Sequence, residues 1–172
     1  MTINFVPDLM VGSIHDITPK LLSERNIGGV MVDLDNTLAA YNETEPGDEI
    51  IEWVRNIQKS GVKVSIISNN KQERVDRFNR KLGLEFNVAR ANKPFRRVFI
   101  EVAAAMGLTP DRIAVIGDQI YTDVLGGNMA GMYTIMIDSK NHTWNALLAF
   151  RRLLEMPFIK KYERRTKRRS NK

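Results

Sequence analysis

Cysteine is absent from the 172 residues of the sequence. Disulfide bonds and thiolate metal sites are therefore excluded, and the composition fits a reducing cytoplasm. Long hydrophobic runs are absent too, since the longest have the length of strands and the apolar C-terminal segment is interrupted by Arg151, Arg152 and Glu155. The N-terminal residues lack the basic and apolar stretches of a signal peptide. We therefore expect a cytoplasmic protein without a membrane-spanning helix.

A net positive charge is absent outside the C-terminus. The formal net charge is +6, but residues 160–172 contain eight of the 26 Lys and Arg residues and one of the 20 Asp and Glu residues. The preceding residues are therefore close to neutral. Such a tail is either a disordered, solubilising end or an anion-binding element. We predict one domain over residues 1–159, followed by a disordered basic tail over residues 160–172.

Short apolar segments alternate with amphipathic segments from residue 28 onward. The amphipathic segments repeat apolar residues at helical spacing, as Ile50, Val54 and Ile57 do. Because apolar strands separated by helices form parallel sheets, the order βαβαβαβαβ predicts an α/β protein. We expect a Rossmann-like parallel sheet of about five strands with helices on both faces, and a final helix that begins near Thr143. The segments predicted as strands are 28–35, 62–70, 85–89, 111–118 and 133–138.

Polar side chains follow the predicted strands at their carboxyl ends. In an open parallel sheet these ends lie along one edge, where ligands bind. We therefore expect convergence of Asp33, Asp35 and Thr37 after the first strand, Ser68, Asn69 and Asn70 after the second, Asn92 and Lys93 after the third, and Asp118 and Asp123 after the fourth.

This set contains the parts that phosphoryl transfer requires: a nucleophile, a proton donor, a metal site and groups that neutralise phosphate oxygens. Asp33 and Asp118 offer the hard oxygen ligands that Mg²⁺ prefers. One carboxylate can also attack phosphorus, which gives an aspartyl-phosphate and divides one difficult displacement into two easier ones. Asp35, two residues after Asp33, would project the same way along a strand and can act as the acid and then the base.

Groups that can bind the substrate are present as well. Lys93 offers a point charge for a phosphate group, and Ser68 offers a hydroxyl that can donate a hydrogen bond to it. The segment from Asn69 begins a helix, so its backbone N–H groups can face the same anion. We assign Thr37 and Asn70 to this substrate-binding set as well.

Four motifs occur in the order "DLDNT", "SNN", "NKP" and "GDQIYTD", each after a predicted strand. They resemble the motifs of the haloacid dehalogenase-like (HAD) phosphatase superfamily over about residues 28–138. The resemblance implies that Asp33 is the nucleophile and Asp35 the acid/base. It also implies that Asp33, the backbone carbonyl of Asp35 and Asp118 hold Mg²⁺, with Asp123 as an outer partner of the metal or of Lys93.

Space for a cap domain, which HAD enzymes commonly insert beside these motifs, is missing. About ten residues separate Leu38 from the helix at Asp48, and just over twenty separate Asn70 from Lys93. Similarity to capless members implies a large or tethered substrate, or an oligomer. The Pro-containing leader, the "DNTL" core and the basic C-terminus are similar to bacterial capless HAD proteins related to phosphatidylglycerophosphate phosphatases, although Leu34 replaces a lysine of the characterised lipid phosphatases.

Three hypotheses for the substrate and partners remain open. The first is a Mg²⁺-dependent phosphatase of an anionic phospholipid headgroup, with the tail in peripheral contact with the inner face of the membrane, because anionic lipids attract each basic residue by about 1 kcal/mol. The second is the same chemistry on a soluble sugar, nucleotide or phosphoprotein. The third is an RNA- or ribosome-associated protein that binds through its tail, although Tyr162 is the tail's only aromatic residue for base stacking.

Overall fold

The computed structural model describes residues 3–40, 42–138 and 146–170, and within the last range it describes the side chains of residues 153–168. The strands are β1 (Leu9–Val11), β2 (Gly29–Val32), β3 (Lys63–Ile67), β4 (Phe86–Val88), β5 (Ile113–Gly117) and β6 (Tyr133–Ile137). The α-helices are α1 (Pro19–Ser23), α2 (Asp48–Lys59), α3 (Gln72–Leu82), α4 (Arg96–Ala105), α5 (Leu125–Ala130) and α6 (Ala146–Ser170). A π-helical turn, Ile120–Val124, precedes α5.

All these strands form one parallel sheet in the order β1-β6-β5-β2-β3-β4. Strand β2 is central, and its Val32 lies opposite Ile66 of β3 and Ile116 of β5. The chain winds from β2 to β3 on one side and later places β5 on the other side. The direction of winding therefore reverses at β2, and ligands of open α/β sheets bind at such a point. The prediction of a Rossmann-like parallel sheet is confirmed.

Strand β1 is a sixth strand, which the sequence analysis did not predict. Its three half-buried residues pair with β6, and Leu9 lies opposite Ile135. A segment of this length is too short for hydrophobic periodicity to identify. Only its pairing at the edge of the sheet defines it as a strand.

The sheet separates two apolar clusters, which explains why its inner strands are mostly apolar. Val30 and Val32 of β2 belong to one cluster, which Trp53 of α2 and Phe78 of α3 also join. Met31 belongs to the other cluster, which includes Phe99 of α4. Alternate residues of β2 thus pack on opposite faces of the sheet. Helices therefore cover both faces of the sheet, as predicted.

Helix α6 is anchored to the body of the domain. The carboxylate of Glu155, which is 2% exposed, accepts a hydrogen bond of 3.0 Å from the backbone N–H of Ile120. The hydroxyl of Tyr162 accepts one of 3.1 Å from the N–H of Met10. Ile159 is buried in a small apolar cluster with residues of the π-helical turn and β6. The attached part of the helix therefore extends into the basic segment.

Residues 160–170 are helical, whereas the sequence analysis predicted a disordered tail over residues 160–172. Most side chains of residues 160–168 are exposed, and a run of charges is compatible with either state. The predicted start of this helix near Thr143 lies outside the described residues. Within the described ranges, none of the helices combines the length and the apolar character needed to cross a membrane.

Candidate active site

The ends of the central strands bring the predicted residues to one edge of the sheet. Asp33 follows β2 directly, Ser68 follows β3 and Asp118 follows β5. The N–H of Asp33 donates a 2.8 Å hydrogen bond to the carbonyl of Ile116, which continues the pairing of β2 with β5 past the end of β2. The carboxylate of Asp33 is thereby held at the switch point of the sheet.

Lys93 forms the centre of the site. Its Nζ atom lies 2.6 Å from Oδ1 of Asp33 and 2.5 Å from Oδ1 of Asp123. All three residues are buried, with exposed fractions of 7% for Lys93, 5% for Asp33 and 1% for Asp123. These are short, charge-assisted hydrogen bonds shielded from water. The structure thus brings together side chains from three separate motifs.

Asn69 holds the backbone of Lys93 in place. Its Oδ1 accepts a 2.7 Å hydrogen bond from the N–H of Lys93, and its Nδ2 donates one of 3.2 Å to the carbonyl of the same residue. The sequence analysis assigned Asn69 to the substrate instead. Its side chain positions the lysine, while any contact of its backbone with a phosphate stays a prediction.

The electrostatics of the site depend on burial and on neighbouring acids. Burial raises the pKa of Asp33 to about 7; Lys93 opposes this rise, whereas the charges of Asp123 and Asp35 add to it. Burial alone would lower the pKa of Lys93, but Asp123 and Asp33 outweigh burial and hold that pKa above its ordinary value. Lys93 is therefore a permanent cation that compensates only part of the surrounding negative charge.

An acidic group suited to a divalent cation lies around this lysine. Asp33, Asp118 and Asp123 each offer one carboxylate oxygen, and these oxygens lie within 4.8 Å of one another. Hard oxygen donors suit Mg²⁺, and a cation there would relieve the repulsion that helps to raise the pKa of Asp33. The residues therefore fit the predicted metal. The Asp35 side chain makes other contacts, and the part of its backbone carbonyl in metal binding stays a prediction.

Asp35 is fixed by two polar side chains. Asn70 Nδ2 donates a 2.9 Å hydrogen bond to its Oδ2 atom, and Arg74 donates to its Oδ1 atom from Nε at 3.3 Å and from Nη2 at 3.1 Å. Asn70, which the sequence analysis assigned to substrate binding, thus contacts the predicted acid/base. The sequence analysis missed Arg74. Its position in the first turn of the helix after the "SNN" motif, four residues past Asn70, was the available signal.

Ser68 and Thr37 lie at the same edge and are buried. Ser68 Oγ accepts a 3.1 Å hydrogen bond from the N–H of Asn70 and can still donate its own hydrogen. Among the described residues, none forms a hydrogen bond with the buried Oγ1 atom of Thr37. Both hydroxyls therefore keep a donor for a ligand, as their predicted contacts with the substrate require.

Gly117 makes the position of Asp123 possible. A Cβ atom on Gly117 would lie 2.3 Å from Cγ of Asp123, closer than packed atoms come. Asp123 also accepts 3.3 Å hydrogen bonds at Oδ2 from the N–H of Gln119 and from Oγ1 of Thr122. Because Gly117 has no side chain, the π-helical turn can place the carboxylate of Asp123 against β5 and in contact with Lys93.

The chain has no inserted cap within the described ranges. Between β2 and α2 the described residues form turns and one isolated bridge, from Asp35 to Ala39, and between β3 and Lys93 they form α3 and β4. A parallel sheet with this acidic edge, a buried lysine and no cap defines a capless HAD-type phosphatase.

Comparison with known proteins gives the same class and a narrower family. The family model described as "Mitochondrial PGP phosphatase" matches residues 2–140, and the chain belongs to this family. The chain is also 37% identical over 161 residues to "Probable phosphatase YqeG" of Bacillus subtilis (strain 168), which covers 94% of this chain and 93% of that protein. The identification of an HAD-type phosphatase, a phosphoric monoester hydrolase, is thereby confirmed.

Two more distant proteins extend the comparison. The chain is 24% identical over 131 residues to "Glyceraldehyde 3-phosphate phosphatase" of Methanopyrus kandleri, which covers 71% of this chain and 53% of that protein. The crystal structure of an uncharacterized protein from Listeria monocytogenes serotype 4b superposes with a TM-score of 0.56 at 18% identity, covering 69% of this chain and 85% of the other. The latter supports the fold alone.

Proposed function

We propose that the protein is a Mg²⁺-dependent phosphatase that acts through an aspartyl-phosphate on Asp33, with a phospholipid phosphomonoester such as phosphatidylglycerophosphate as its substrate. The observation that carries this proposal is the cluster at the end of β2, where Lys93 contacts both Asp33 and Asp123. One carboxylate oxygen of Asp118 lies within 4.8 Å of an oxygen of each of these two aspartates. The aspartate that a phosphoryl group would join is thus buried beside a fixed cation.

In the first step of the proposed reaction, an oxygen of ionised Asp33 attacks phosphorus while the bond from phosphorus to the leaving oxygen breaks. Asp35 gives its proton to that oxygen. Lys93 neutralises charge on the phosphoryl oxygens, and the hydroxyl of Ser68 donates a hydrogen bond to one of them. The product alcohol leaves, and the phosphoryl group remains as a mixed anhydride on Asp33.

In the second step, Asp35 takes a proton from a water molecule, whose oxygen attacks phosphorus. The bond between phosphorus and Asp33 breaks, which restores the carboxylate and releases inorganic phosphate. Asp33, the backbone carbonyl of Asp35 and Asp118 would hold Mg²⁺, which when bound supplies positive charge that favours ionised Asp33 and neutralises the phosphate.

A lipid substrate is supported by the family and by the surface of the molecule. The family model carries the description "Mitochondrial PGP phosphatase". Helix α6, anchored beside the π-helical turn of the site through Glu155 and Ile120, continues into exposed basic residues such as Arg164 and Arg165. A bilayer that attracts this helix would bring phosphomonoester headgroups close to the open edge of the sheet.

A small soluble phosphate ester is the second candidate substrate, because a relative at 24% identity is named "Glyceraldehyde 3-phosphate phosphatase". Phosphate release decides between the two. We expect Mg²⁺-dependent hydrolysis of phosphatidylglycerophosphate in vesicles with a kcat/KM well above that for glyceraldehyde 3-phosphate or glycerol 3-phosphate, and none in Asp33→Asn. The reverse preference would select the soluble substrate, and metal-independent turnover would contradict the proposed chemistry.

A further inference from the structure

One guanidinium group joins the predicted acid/base to the loop that follows it. Besides its two contacts with Asp35, Arg74 Nη2 donates a 3.3 Å hydrogen bond to the carbonyl of Ala40, and Nη1 donates to the carbonyl of Glu43. The side chains of Arg74 and Asp35 are only 14% and 16% exposed. A planar group with five fixed donors suits such a set of acceptors, whereas an ammonium group does not.

The contacts fix which oxygen of Asp35 is available to the substrate. Oδ1 receives two N–H groups of Arg74, whereas Oδ2 receives one from Asn70. Oδ2 therefore retains the free lone pair on which a proton can be carried. Rotation of the carboxylate would break the contacts with both partners at once.

The loop formed by Ala40 and residues 42–46, which we call the rim loop, lies after the first motif, where HAD enzymes commonly insert a cap. Glu43 Oε2 accepts a 3.0 Å hydrogen bond from the N–H of Ala40. At the far end of the loop, Glu45 forms a 2.8 Å ion pair with Lys81 of α3. Arg74 and Lys81 thus bind the rim loop to one helix. Of these two residues, Arg74 also contacts Asp35 and Lys81 does not.

We infer that Arg74 is a positioning residue for proton transfer: it holds the Asp35 carboxylate so that Oδ2 faces the leaving oxygen, and it keeps the rim loop in place beside that carboxylate. This role rests on the proposed function of Asp35. A misplaced catalytic group can lower a rate by about 10²-fold. The loss should be largest where the leaving group needs a proton.

Esters of different leaving groups test this role in Arg74→Met and Arg74→Lys. On an alkyl phosphate, whose leaving oxygen must be protonated, Arg74→Met should lower kcat by about 10²-fold with little change in KM. On p-nitrophenyl phosphate, whose leaving group departs without a proton, formation of the phospho-enzyme should fall by much less. Because Asp35 also activates water, acid quenching should then find phospho-enzyme accumulated. Arg74→Lys should restore only part of the alkyl-ester rate.

Two controls separate this role from effects of charge and of the loop. Arg77→Met removes an exposed charge from the same helix and should leave both esters at wild-type rates. Lys81→Met releases the far end of the rim loop and should leave the ratio of the two rates unchanged. Circular dichroism checks that each variant is folded.

The outcomes distinguish this inference from the proposed function. An equal fall in the rate of phospho-enzyme formation on both esters in folded Arg74→Met, or full activity in that variant, would overturn the role of Arg74 while the phosphatase stands. A wild-type protein that releases no phosphate from either class of ester, with Mg²⁺ present, would refute the proposed function, and the role of Arg74 would fall with it.

Discussion

The ammonium group of Lys93 is shared between Asp33 and Asp123, at 2.6 Å and 2.5 Å. One buried cation therefore faces two carboxylates, one at the end of β2 and one in the π-helical turn. This arrangement keeps Lys93 charged, yet the pKa of Asp33 still rises to about 7 because burial outweighs the attraction of the lysine. The metal-free site thus holds more negative charge than it can stabilise, and this excess has measurable consequences.

The first prediction concerns the pH dependence of stability without metal. The pKa of Asp33 is raised from 3.8 to about 7 by burial, so its stabilising contribution is complete below pH 3.8 and is lost as pH rises through about 7. Asp33→Asn does not titrate. From pH 5 to pH 8, the unfolding free energy of the wild type should fall by roughly 2–3 kcal/mol relative to that of the variant. Urea unfolding in a chelator measures this.

The exposed Asp111→Asn provides the control for that experiment, since it removes a surface carboxylate of the same type. Its stability should follow that of the wild type at both pH values. Parallel curves for Asp33→Asn and the wild type would show that burial does not destabilise the charge on Asp33.

The second prediction concerns loss of the buried cation. Lys93→Met leaves Asp33 and Asp123 without their partner, and breaking a buried pair costs about 3–5 kcal/mol of unfolding free energy. The rate of phosphate release should fall by about 10²-fold or more, as when one electrostatic donor to a transition state is lost. Lys20→Met, which removes only an exposed 4.0 Å ion pair with Glu24, should change neither quantity appreciably. If Lys93→Met had the kcat of the wild type, the lysine would have no part in the mechanism.

The third prediction concerns the close approach of β5 to the π-helical turn. In Gly117→Ala the new methyl group would displace Asp123, and with it one partner of Lys93. We expect kcat to fall by about 10-fold or more and the Mg²⁺ concentration needed for half-maximal activity to rise. The matched change Gly12→Ala places its Cβ at an ordinary 3.6 Å from Asp16. If both variants behaved like the wild type, the contact between Gly117 and Asp123 would be unimportant.

The fourth prediction concerns the basic part of α6. Because Tyr162 accepts a hydrogen bond from Met10, substitution is a cleaner test than truncation. Changing Arg164, Arg165, Lys167 and Arg168 to Gln should abolish binding to vesicles of phosphatidylglycerol and phosphatidylcholine. It should also raise KM for a lipid substrate, while hydrolysis of a small soluble ester stays unchanged. High salt should mimic the change, because the Debye length shrinks below its physiological value of about 8 Å.

Other results of that experiment would assign the basic segment differently. A substituted protein that binds vesicles normally but no longer retains RNA would replace the lipid hypothesis with the RNA hypothesis. A protein that loses neither interaction would have a basic helix that serves solubility.

Sequence alone predicted the parallel sheet and the edge at which Asp33 and Lys93 meet, because each motif lies at the end of an apolar segment with the length of a strand or shortly after it. The order of apolar and amphipathic segments carries that information. It does not carry the pairing of three-residue β1 with β6, which depends on contacts more than 100 residues apart in the chain. It also does not decide whether residues 160–170 are helical, because their charges suit a helix and a coil equally.

The roles of individual side chains were harder to predict than their location. Asn69 and Asn70 were placed at the correct edge, but their side chains contact Lys93 and Asp35, respectively. Arg74 resembles any charged residue of an amphipathic helix in the sequence. Arg74 differs from such residues because the fold brings Asp35 and the carbonyl of Ala40 within hydrogen-bonding distance of its guanidinium group.

The most direct test of the account is the chemical trapping of a phosphoryl group on Asp33. Acid quenching with a ³²P-labelled substrate and Mg²⁺, followed by peptide mapping, should locate an acyl phosphate on Asp33. Asp35→Asn should accumulate this species, at least with an aryl ester, because hydrolysis lacks its base, and Asp33→Asn should form none. Turnover in Asp33→Asn at the wild-type rate, or phosphate release from the wild type and Asp35→Asn without any label on Asp33, would contradict the covalent mechanism.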